Sequence, residues 1–206
     1  MKLRTTRSFR YHVTGILALS ALTLAGCSGD QYDWNAKDIS GLMPELDYQL
    51  TDTNGESVSA EETSGNIRML SFGFTSCPDI CPTTLQKLSR AVDELPEAIR
   101  KDVKIMFVSV DPNRDTPERV KSYVEFFSNS IIGLTGSEEN LRALSKRYRT
   151  TFGYAEPDEK GNYDVSHSSA VYVFDREGKA RLLVRPEQQS LDELKSDLSE
   201  LARRAG

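Results

Sequence analysis

Two apolar segments of the chain have the length and composition of buried β-strands. Residues 67–74 are short, apolar and rich in aromatic side chains, and residues 103–110 form the clearest apolar run of the sequence. A polar loop follows each segment, and apolar residues at helical spacing follow each loop: Leu85, Leu88, Val92 and Leu95 after the first, and Val120, Val124 and Phe127 after the second. This repeated order of strand, loop and helix predicts an α/β fold.

Shorter elements complete the predicted fold. The alternation at residues 46–53, the turn Asn54-Gly55 and residues 57–60 predict a β-hairpin near the start of the domain. Downstream we expect, in chain order, a short strand at 131–134, a helix capped by Ser137, a second hairpin made of residues 170–174 and 180–184, and a final amphipathic helix opened by the capping box of Ser190 and Glu193. The sequence therefore predicts a mixed central sheet that is flanked by helices, with an N-terminal β-hairpin.

The N-terminus has the pattern of a secretory signal. Four basic residues without an acid precede the apolar run Val13–Ala25, which is too short to span a bilayer comfortably. The run leads into Gly26 and Cys27, and the sequence LAGC resembles the lipobox of bacterial lipoproteins, whose cysteine is lipidated and becomes the first mature residue. An ordinary signal peptide followed by a free cysteine is the alternative. We expect residues 1–26 to be removed and several acyl chains on Cys27 to hold the protein at a membrane, since one chain alone binds only marginally.

Residues 27–40 are mostly polar and have the composition of a tether, so we predict no regular structure there and one domain over residues 41–206. From the signal pattern and the resemblance to a bacterial lipobox, we expect this domain to lie on the extracytoplasmic side of a bacterial cell envelope. Removal of residues 1–26 takes away four basic residues and leaves 22 basic against 31 acidic ones, a net charge of −9. We therefore expect no nucleic-acid partner, because phosphate binding needs a basic face.

Two cysteines lie where the first buried strand ends and its helix begins. Cys77 falls in the predicted loop, and Cys81 falls at the helix N-terminus, followed by Pro82 in a position suited to the first helical residue. Unpaired N–H groups and the helix dipole favour anions there, so we expect a lowered thiol pKa and a thiolate available for metal or disulfide chemistry. A pair of inert buried cysteines is the alternative, but a close pair beside two prolines in a strand-to-helix loop is typical of a functional site.

One histidine remains with this pair after removal of the signal. His12 leaves with the signal and Cys27 is consumed by lipid, so Cys77, Cys81 and His167 are the free thiols and the imidazole of the mature chain. Two thiolates and an imidazole suit copper as Cu(I) or Cu(II), and sets of Cys and His also suit zinc. In an exported compartment, a disulfide between the two free cysteines is the natural alternative to a metal. Three ligands leave room for a partner's ligand to enter, as a carrier requires.

The loop after the second buried strand carries Asp111, Arg114 and Asp115. Ligand sites in α/β sheets gather at the carboxyl ends of strands, so this loop and the cysteines could share one surface. We predict that these three residues support the metal ligands or dock a partner. Helix capping by Asp115 or Thr116, ahead of Pro117 in the first helical position, is the simpler explanation.

Three motifs, FGFTSCPDICP, SVDPNRDTPE and DVSHSSAVYVFD, occur in an order and spacing that resembles the SCO/SenC family of copper-handling, thioredoxin-like proteins. The resemblance runs from about residue 41 to the C-terminus. It implies a thioredoxin-like fold, copper ligands at Cys77, Cys81 and His167, and a role in assembling the dinuclear copper centre of cytochrome c oxidase. The implied partners are the copper-bearing subunit of that oxidase and another periplasmic copper donor or a thiol reductant.

One position departs from the pattern of this family. Members often have an acid immediately before the histidine, whereas Ser166 precedes His167 in this chain. Asp164 is the nearest acid that could supply the missing carboxylate.

A thiol-disulfide oxidoreductase of the thioredoxin-like group is the main alternative function. In that function Cys77 and Cys81 would pass through a mixed disulfide with the substrate. Thioredoxins have two residues between their cysteines and typically a proline before the strand that faces them, whereas this chain has three residues between the cysteines and Ser168-Ser169 before Ala170. A peroxidase of the same fold is a third option, but the reactive-cysteine motif expected for it is absent from the sequence.

Overall fold

The computed structural model describes residues 32–204, so the predicted signal peptide and Cys27 lie outside the described residues. The strands are β1 (Lys37–Asp38), β2 (Gln49–Asp52), β3 (Ser57–Ser59), β4 (Ile67–Gly73), β5 (Val103–Ser109), β6 (Ile131–Thr135), β7 (Gly153–Tyr154), β8 (Val165–Ser166), β9 (Val171–Phe174) and β10 (Ala180–Val184). The helices are α1 (Ile80–Asp93), α2 (Glu97–Arg100), α3 (Pro117–Glu125), α4 (Glu138–Arg147) and α5 (Leu191–Arg204), and a 3₁₀ turn covers Ala60–Thr63. Within this range, no helix has both the length and the apolar character needed to cross a membrane.

Eight of the strands form one mixed sheet in the order β1-β10-β9-β4-β5-β6-β2-β3. Strands β4, β5 and β6 are parallel, whereas β9 runs antiparallel to β4 and β2 runs antiparallel to β6. All seven residues of β4 are buried, as expected of a parallel strand that is covered on both faces. The predicted mixed central sheet with flanking helices is confirmed.

The predicted N-terminal hairpin is present as β2 and β3, and it forms one edge of the large sheet through the pairing of β2 with β6. Its turn depends on Asp52, whose carboxylate accepts hydrogen bonds from the backbone N–H groups of Asn54 at 2.8 Å and Glu56 at 2.9 Å. Gly55 has a φ of +83°, a conformation that favours glycine. The Asn-Gly signal in the sequence therefore marks the turn correctly.

Side-chain caps fix the starts of three predicted helices. Thr116 and Ser137 each accept a hydrogen bond from the N–H group three residues later, at 3.3 Å and 3.2 Å respectively. Ser190 N–H donates to the Glu193 carboxylate at 2.6 Å, and Glu193 N–H donates to the Ser190 hydroxyl at 3.2 Å, which completes the predicted capping box. Each such cap stabilises a helix by about 1 kcal/mol. Thr116 is the residue that caps α3.

The segment predicted to be an unstructured tether is ordered near its end. Strand β1 pairs antiparallel with β10, and the side chains of Ala36 and Ile39 beside it are buried. Asp197 on α5 is also buried, and its carboxylate accepts hydrogen bonds from the N–H groups of Asn35 at 3.1 Å and Ala36 at 2.8 Å. The prediction of no regular structure is therefore wrong for the last residues of this segment, because two apolar side chains and a buried carboxylate order them.

Candidate metal centre

The cysteine loop and the aspartate loop leave the sheet side by side. Strands β4 and β5 are parallel neighbours, and Gly73 at the end of β4 lies opposite Ser109 at the end of β5. Cys77 lies in the loop after β4, and Cys81 is the second residue of α1. Pro82 is thus the third helical residue rather than the predicted first, but Cys81 lies in the first turn as expected.

The structure brings together the three predicted metal ligands. The sulfur atoms of Cys77 and Cys81 and an imidazole nitrogen of His167 all lie within 4.8 Å of one another. Cys81 Sγ lies 3.3 Å from His167 Nε2, and the backbone N–H of Cys81 donates to Cys77 Sγ at 3.4 Å. Metal–sulfur bonds of about 2.3 Å allow two sulfurs on one ion to be up to about 4.6 Å apart, so only small side-chain movements separate these atoms from coordination. Within residues 32–204 this is the only group of its kind.

The contacts of His167 suit the tautomer with its proton on Nδ1. Nδ1 lies 3.0 Å from the carbonyl oxygen of Ser168, which can only accept, and in this tautomer Nε2 presents a lone pair to Cys81. Burial lowers the pKa of His167 below its ordinary value of 6.5, because the charged form is disfavoured away from water. The ring of Phe74 packs edge-to-face against the imidazole, with ring centroids 5.7 Å apart. His167 is therefore neutral at neutral pH and oriented for coordination through Nε2.

Burial changes the chemistry expected of the Cys81 thiol. Cys81 is 4% exposed, and its pKa is raised, first by burial and then by its hydrogen bond with Cys77. Burial shifts a thiol pKa by up to several units, whereas a helix terminus contributes about 1 kcal/mol or less, which is under one unit. The lowered pKa predicted from the helix N-terminus is therefore wrong for Cys81. A bound metal ion would reverse this preference, because its positive charge stabilises the thiolate and displaces the proton.

Gly73 provides the space that the Cys81 thiol occupies. A Cβ atom added at Gly73 would lie 2.8 Å from Cys81 Sγ and 2.5 Å from the ring of Phe107. Both distances are shorter than van der Waals contact, so a side chain at this position would displace the sulfur or the ring. The glycine lets the strand backbone, the thiol and the aromatic ring pack in contact.

Asp115 holds the loop that carries the first cysteine. Its carboxylate accepts hydrogen bonds from the Thr75 N–H at 2.7 Å, from the Thr75 hydroxyl at 2.6 Å and from the Ser109 hydroxyl at 2.5 Å. Arg119 pairs with the same carboxylate at 3.6 Å and donates to the hydroxyls of Thr75 at 2.7 Å and Ser76 at 2.9 Å. Arg119 was not predicted to belong to this site, although its position one helical turn after Asp115 is the spacing of an ion pair.

Asp111 and Arg114 hold the segment that leads to His167. Asp111 accepts a hydrogen bond from the Tyr163 hydroxyl at 2.7 Å and pairs with Arg114 at 2.5 Å. The guanidinium of Arg114 lies 3.8 Å from the centroid of the Tyr163 ring, donates to the Tyr163 carbonyl at 3.0 Å and lies 5.8 Å from the Phe74 centroid. These contacts connect the aspartate loop to the imidazole through Phe74. Both aspartates of the loop are buried, at 0% and 1% exposed, so their carboxylates contact groups of the protein and are unavailable for docking a partner, and their support of the metal ligands stays a prediction.

A short two-stranded ribbon positions His167. Strand β8 ends at Ser166 and pairs antiparallel with β7, and the Asp164 carbonyl accepts a hydrogen bond from the Ala155 N–H at 2.9 Å. This ribbon was not predicted from the sequence, because two-residue strands have no recognisable alternation. The side chain of Asp164 is exposed and does not belong to the group of ligand atoms, so the structure does not bring the expected carboxylate to the site.

The motifs of this site agree with a family comparison. A model of the SCO1/SenC family matches residues 41–203. The chain belongs to the SCO1/SenC family. A SCO2-like protein of Rickettsia felis is 39% identical over 134 residues, a match that spans 65% of this chain and 65% of that relative.

Two solved structures of SCO proteins resemble this member of the SCO1/SenC family. ScoI of Bradyrhizobium japonicum, determined with copper bound, is 30% identical with a TM-score of 0.69, and the match covers 76% of this chain and 98% of that one. Apo Sco1 of Thermus thermophilus is 34% identical with a TM-score of 0.74, and the match covers 84% and 99%. The resemblance to this family and the thioredoxin-like fold that it implies are confirmed.

Proposed function

We propose that this SCO1/SenC protein is a membrane-anchored copper metallochaperone that assists assembly of the dinuclear copper centre in the copper-bearing subunit of cytochrome c oxidase. The observation that carries the proposal is the convergence of ligand atoms from Cys77, Cys81 and His167 within 4.8 Å. Soft sulfur donors combined with an imidazole suit copper as Cu(I) or Cu(II), and the ScoI relative was determined with copper bound. Copper is the cargo of this protein in our proposal.

The different burial of the two cysteines supports a role in transfer. Cys81 is buried, whereas Cys77 is half-buried in the loop before α1. With three protein ligands, a donor from the partner can enter before the ligands of the carrier leave. We therefore expect ligand exchange with the target to begin at Cys77, while Cys81 and His167 still hold the ion.

Reduction of the target's cysteines is a second activity that the same thiols can support. Both thiols of this pair are free, and their conversion to a disulfide would deliver two electrons and two protons to a target disulfide, which becomes two thiols. A periplasmic thiol reductant would then restore the pair, and another periplasmic copper donor would load it. A thiol-disulfide oxidoreductase without a copper role is the alternative function. The imidazole 3.3 Å from Cys81 Sγ favours the carrier.

Copper transfer to the copper-free soluble domain of the oxidase subunit tests the proposal. If the target is reduced beforehand, the copper-loaded chain should transfer its ion, and the Cys77→Ser and Cys81→Ser variants should not. If the target is supplied as a disulfide, transfer should require reduction by the chain's own thiols. Reduction of the target without copper binding would support the oxidoreductase. If the wild-type chain neither loads the reduced target nor reduces the oxidised one, the proposal is wrong.

A further inference from the structure

A polar groove of about 360 Å³ lies beside β1, where the chain enters the domain. Its walls come from residues 35–37, the turn after β10 and the first turn of α5. Lys37 and Arg185 both line the groove, and neither side chain forms an ion pair or a hydrogen bond with another described residue. Acids outnumber bases in the chain as a whole, so two uncompensated positive charges in one groove are a local feature that suits an anion.

Gln189 adds a hydrogen-bond donor that has no acceptor. This residue lines the same groove and is 8% exposed. Its side-chain oxygen accepts the Arg185 N–H at 3.3 Å, which fixes the orientation of the amide. The nitrogen Nε2 is buried and has no hydrogen-bond partner among the described residues. Such groups are uncommon, because they have given up water without a replacement, and an acceptor oxygen bound in the groove would supply one.

The acid in the groove is already engaged by the protein. Glu193 lines the groove, but its carboxylate accepts the Ser190 N–H at 2.6 Å in the capping box of α5. Glu187, in the turn after β10, is exposed and does not line the groove. Lys87 on α1 donates to two backbone carbonyls of the same turn, so a third positive charge lies there and offsets the carboxylate. The balance of charge around the groove therefore still favours an anion.

The position of the groove relates it to the membrane and to the metal centre. Val184 at the end of β10 pairs with Val171, which also pairs with Ser71 near the end of β4. Two strand spacings, about 10 Å, thus separate this end of β10 from the strand that leads to the cysteines. The first residue of the groove follows the predicted lipidation site, Cys27, by eight positions, and eight extended residues span at most about 28 Å. An acylated Cys27 would therefore keep lipid headgroups within reach of the groove.

We propose that this groove binds the phosphate group of a membrane phospholipid, with Gln189 Nε2 donating to a phosphate oxygen and Lys37 and Arg185 pairing with its charge. A planar guanidinium matches the geometry of a phosphate. The inference rests on the membrane anchor of the proposed function and adds a defined orientation to it. Because the anchor holds the headgroups at a high effective concentration, a weak site is sufficient. A lipid in the groove would turn the sheet edge that carries the metal centre toward the bilayer and a membrane-bound target.

Vesicle binding by a chain that begins at residue 27 and carries Cys27→Ser tests the phosphate site. This chain has no acyl groups and keeps the compact unit from Trp34 onward. We expect it to bind vesicles of phosphatidylglycerol but not vesicles of a phosphate-free glycolipid, and inorganic phosphate should compete. Adding Gln189→Glu should weaken binding by roughly tenfold to a hundredfold, the loss expected for one hydrogen bond to a charged acceptor. This change keeps the oxygen that accepts the backbone N–H and replaces the free donor with a negative charge.

The two cations provide a second test that does not disturb a buried residue. Lys37→Gln and Arg185→Gln should each weaken vesicle binding by about fivefold, the effect of one basic residue near a charged lipid surface. Lys121→Gln is the matched control, because it removes the same charge from an exposed position on α3, which packs on β6, four strands from β10. The control should bind vesicles as the unsubstituted chain does, and all four variants should bind copper normally.

The outcomes separate a lipid from other anions and this inference from the copper function. If vesicles do not bind, or bind all variants equally, the inference is wrong. Binding of inorganic phosphate without binding of vesicles would identify a soluble phosphate as the ligand and would also overturn it. Slower copper transfer to the soluble oxidase domain, with vesicle binding unchanged, would assign the groove to an acidic partner protein instead. If the wild type binds no copper while the groove variants lose vesicle binding, the metallochaperone proposal fails and the lipid site stands.

Discussion

At the scale of single residues, the proton on Cys81 links the apo protein to the loaded one. The raised pKa of Cys81 keeps its sulfur protonated at neutral pH, and the lone pair of His167 Nε2 faces that sulfur at 3.3 Å. The thiol can donate its proton in a hydrogen bond to this nitrogen. A copper ion would take the place of the proton and use both atoms as ligands. We therefore expect copper binding to release protons, and the affinity to rise with pH.

The lowered pKa of His167 predicts that acid destabilises the apo protein. Below pH 6.5 the imidazole of His167 takes up a proton in the unfolded chain, whereas the buried imidazole of the folded protein stays neutral to a lower pH. The free energy of unfolding should therefore fall as the pH drops from about 7 to about 5. The His167→Gln variant should lose this dependence, because His167 is the only histidine after His12. Urea unfolding of both apo proteins at several pH values would measure it. The same pH dependence in the two proteins would contradict the account.

At the scale of elements, the loops after β4 and β5 behave as one unit because Asp115 joins them. Its carboxylate accepts two hydrogen bonds from Thr75, a residue 40 positions earlier in the chain, and one from Ser109 at the end of β5. The loop that carries Cys77 is therefore held by the neighbouring loop rather than by its own sequence. Rigid placement of the cysteine reduces the entropy that metal binding must overcome.

The Asp115→Asn variant should separate this support from simple helix capping. The asparagine amide has one oxygen in place of two, so its NH₂ group would face a donor of Thr75 or Ser109 that now bonds to the carboxylate. We therefore expect a loss of about 1–3 kcal/mol in stability together with weaker copper binding. Thr116→Ala is the matched control, since it removes the α3 cap at a cost of about 1 kcal/mol without touching the cysteine loop, and copper binding should be unchanged. Urea unfolding and copper titration would measure both effects. If both variants lose only stability, the loop has no role in the site.

Elements with strong local signals could be predicted from the sequence, whereas features that depend on tertiary contacts could not. Strands β4 and β5 are mainly apolar runs, and the caps at Thr116 and Ser137 follow directly from residue type. Strands β7 and β8 are too short for an alternation of apolar and polar residues to be recognised, so the ribbon that positions His167 was not predicted. The predicted direction of the Cys81 pKa shift was wrong, because the sequence shows where the helix begins but not how deeply the thiol is buried. His167 lies 86 positions after Cys81, so no local signal in the sequence shows that they share a site. The resemblance of the motifs to a known family predicted it.

At the scale of the whole molecule, the proposed function includes attachment of the folded domain to a membrane. Trp34 is the first residue of the compact unit that contains the site, and the predicted lipidation site, Cys27, precedes it by seven positions. The anchor itself stays a prediction, because it lies outside the described residues.

Intact-mass measurement of the protein extracted from membranes would test the lipid anchor. We expect a chain that begins at Cys27 and carries acyl groups, because the sequence LAGC closes a basic and then apolar leader. The Cys27→Ser variant should lose the modification and much of its membrane association, since the acyl chains supply the binding energy. A mature N-terminus without modification would contradict this part of the account.

Copper titration of the reduced protein tests the central claim most directly, which is that the site is a three-ligand copper carrier rather than a disulfide pair. Disulfide exchange needs only the thiols of Cys77 and Cys81, whereas a three-ligand copper site also needs the imidazole of His167. We predict that the wild type binds one copper ion per chain, that Cys77→Ala and Cys81→Ala abolish binding, and that His167→Ala weakens it severely while a disulfide between the two cysteines still forms. A His167→Ala variant that binds copper as tightly as the wild type would contradict the account.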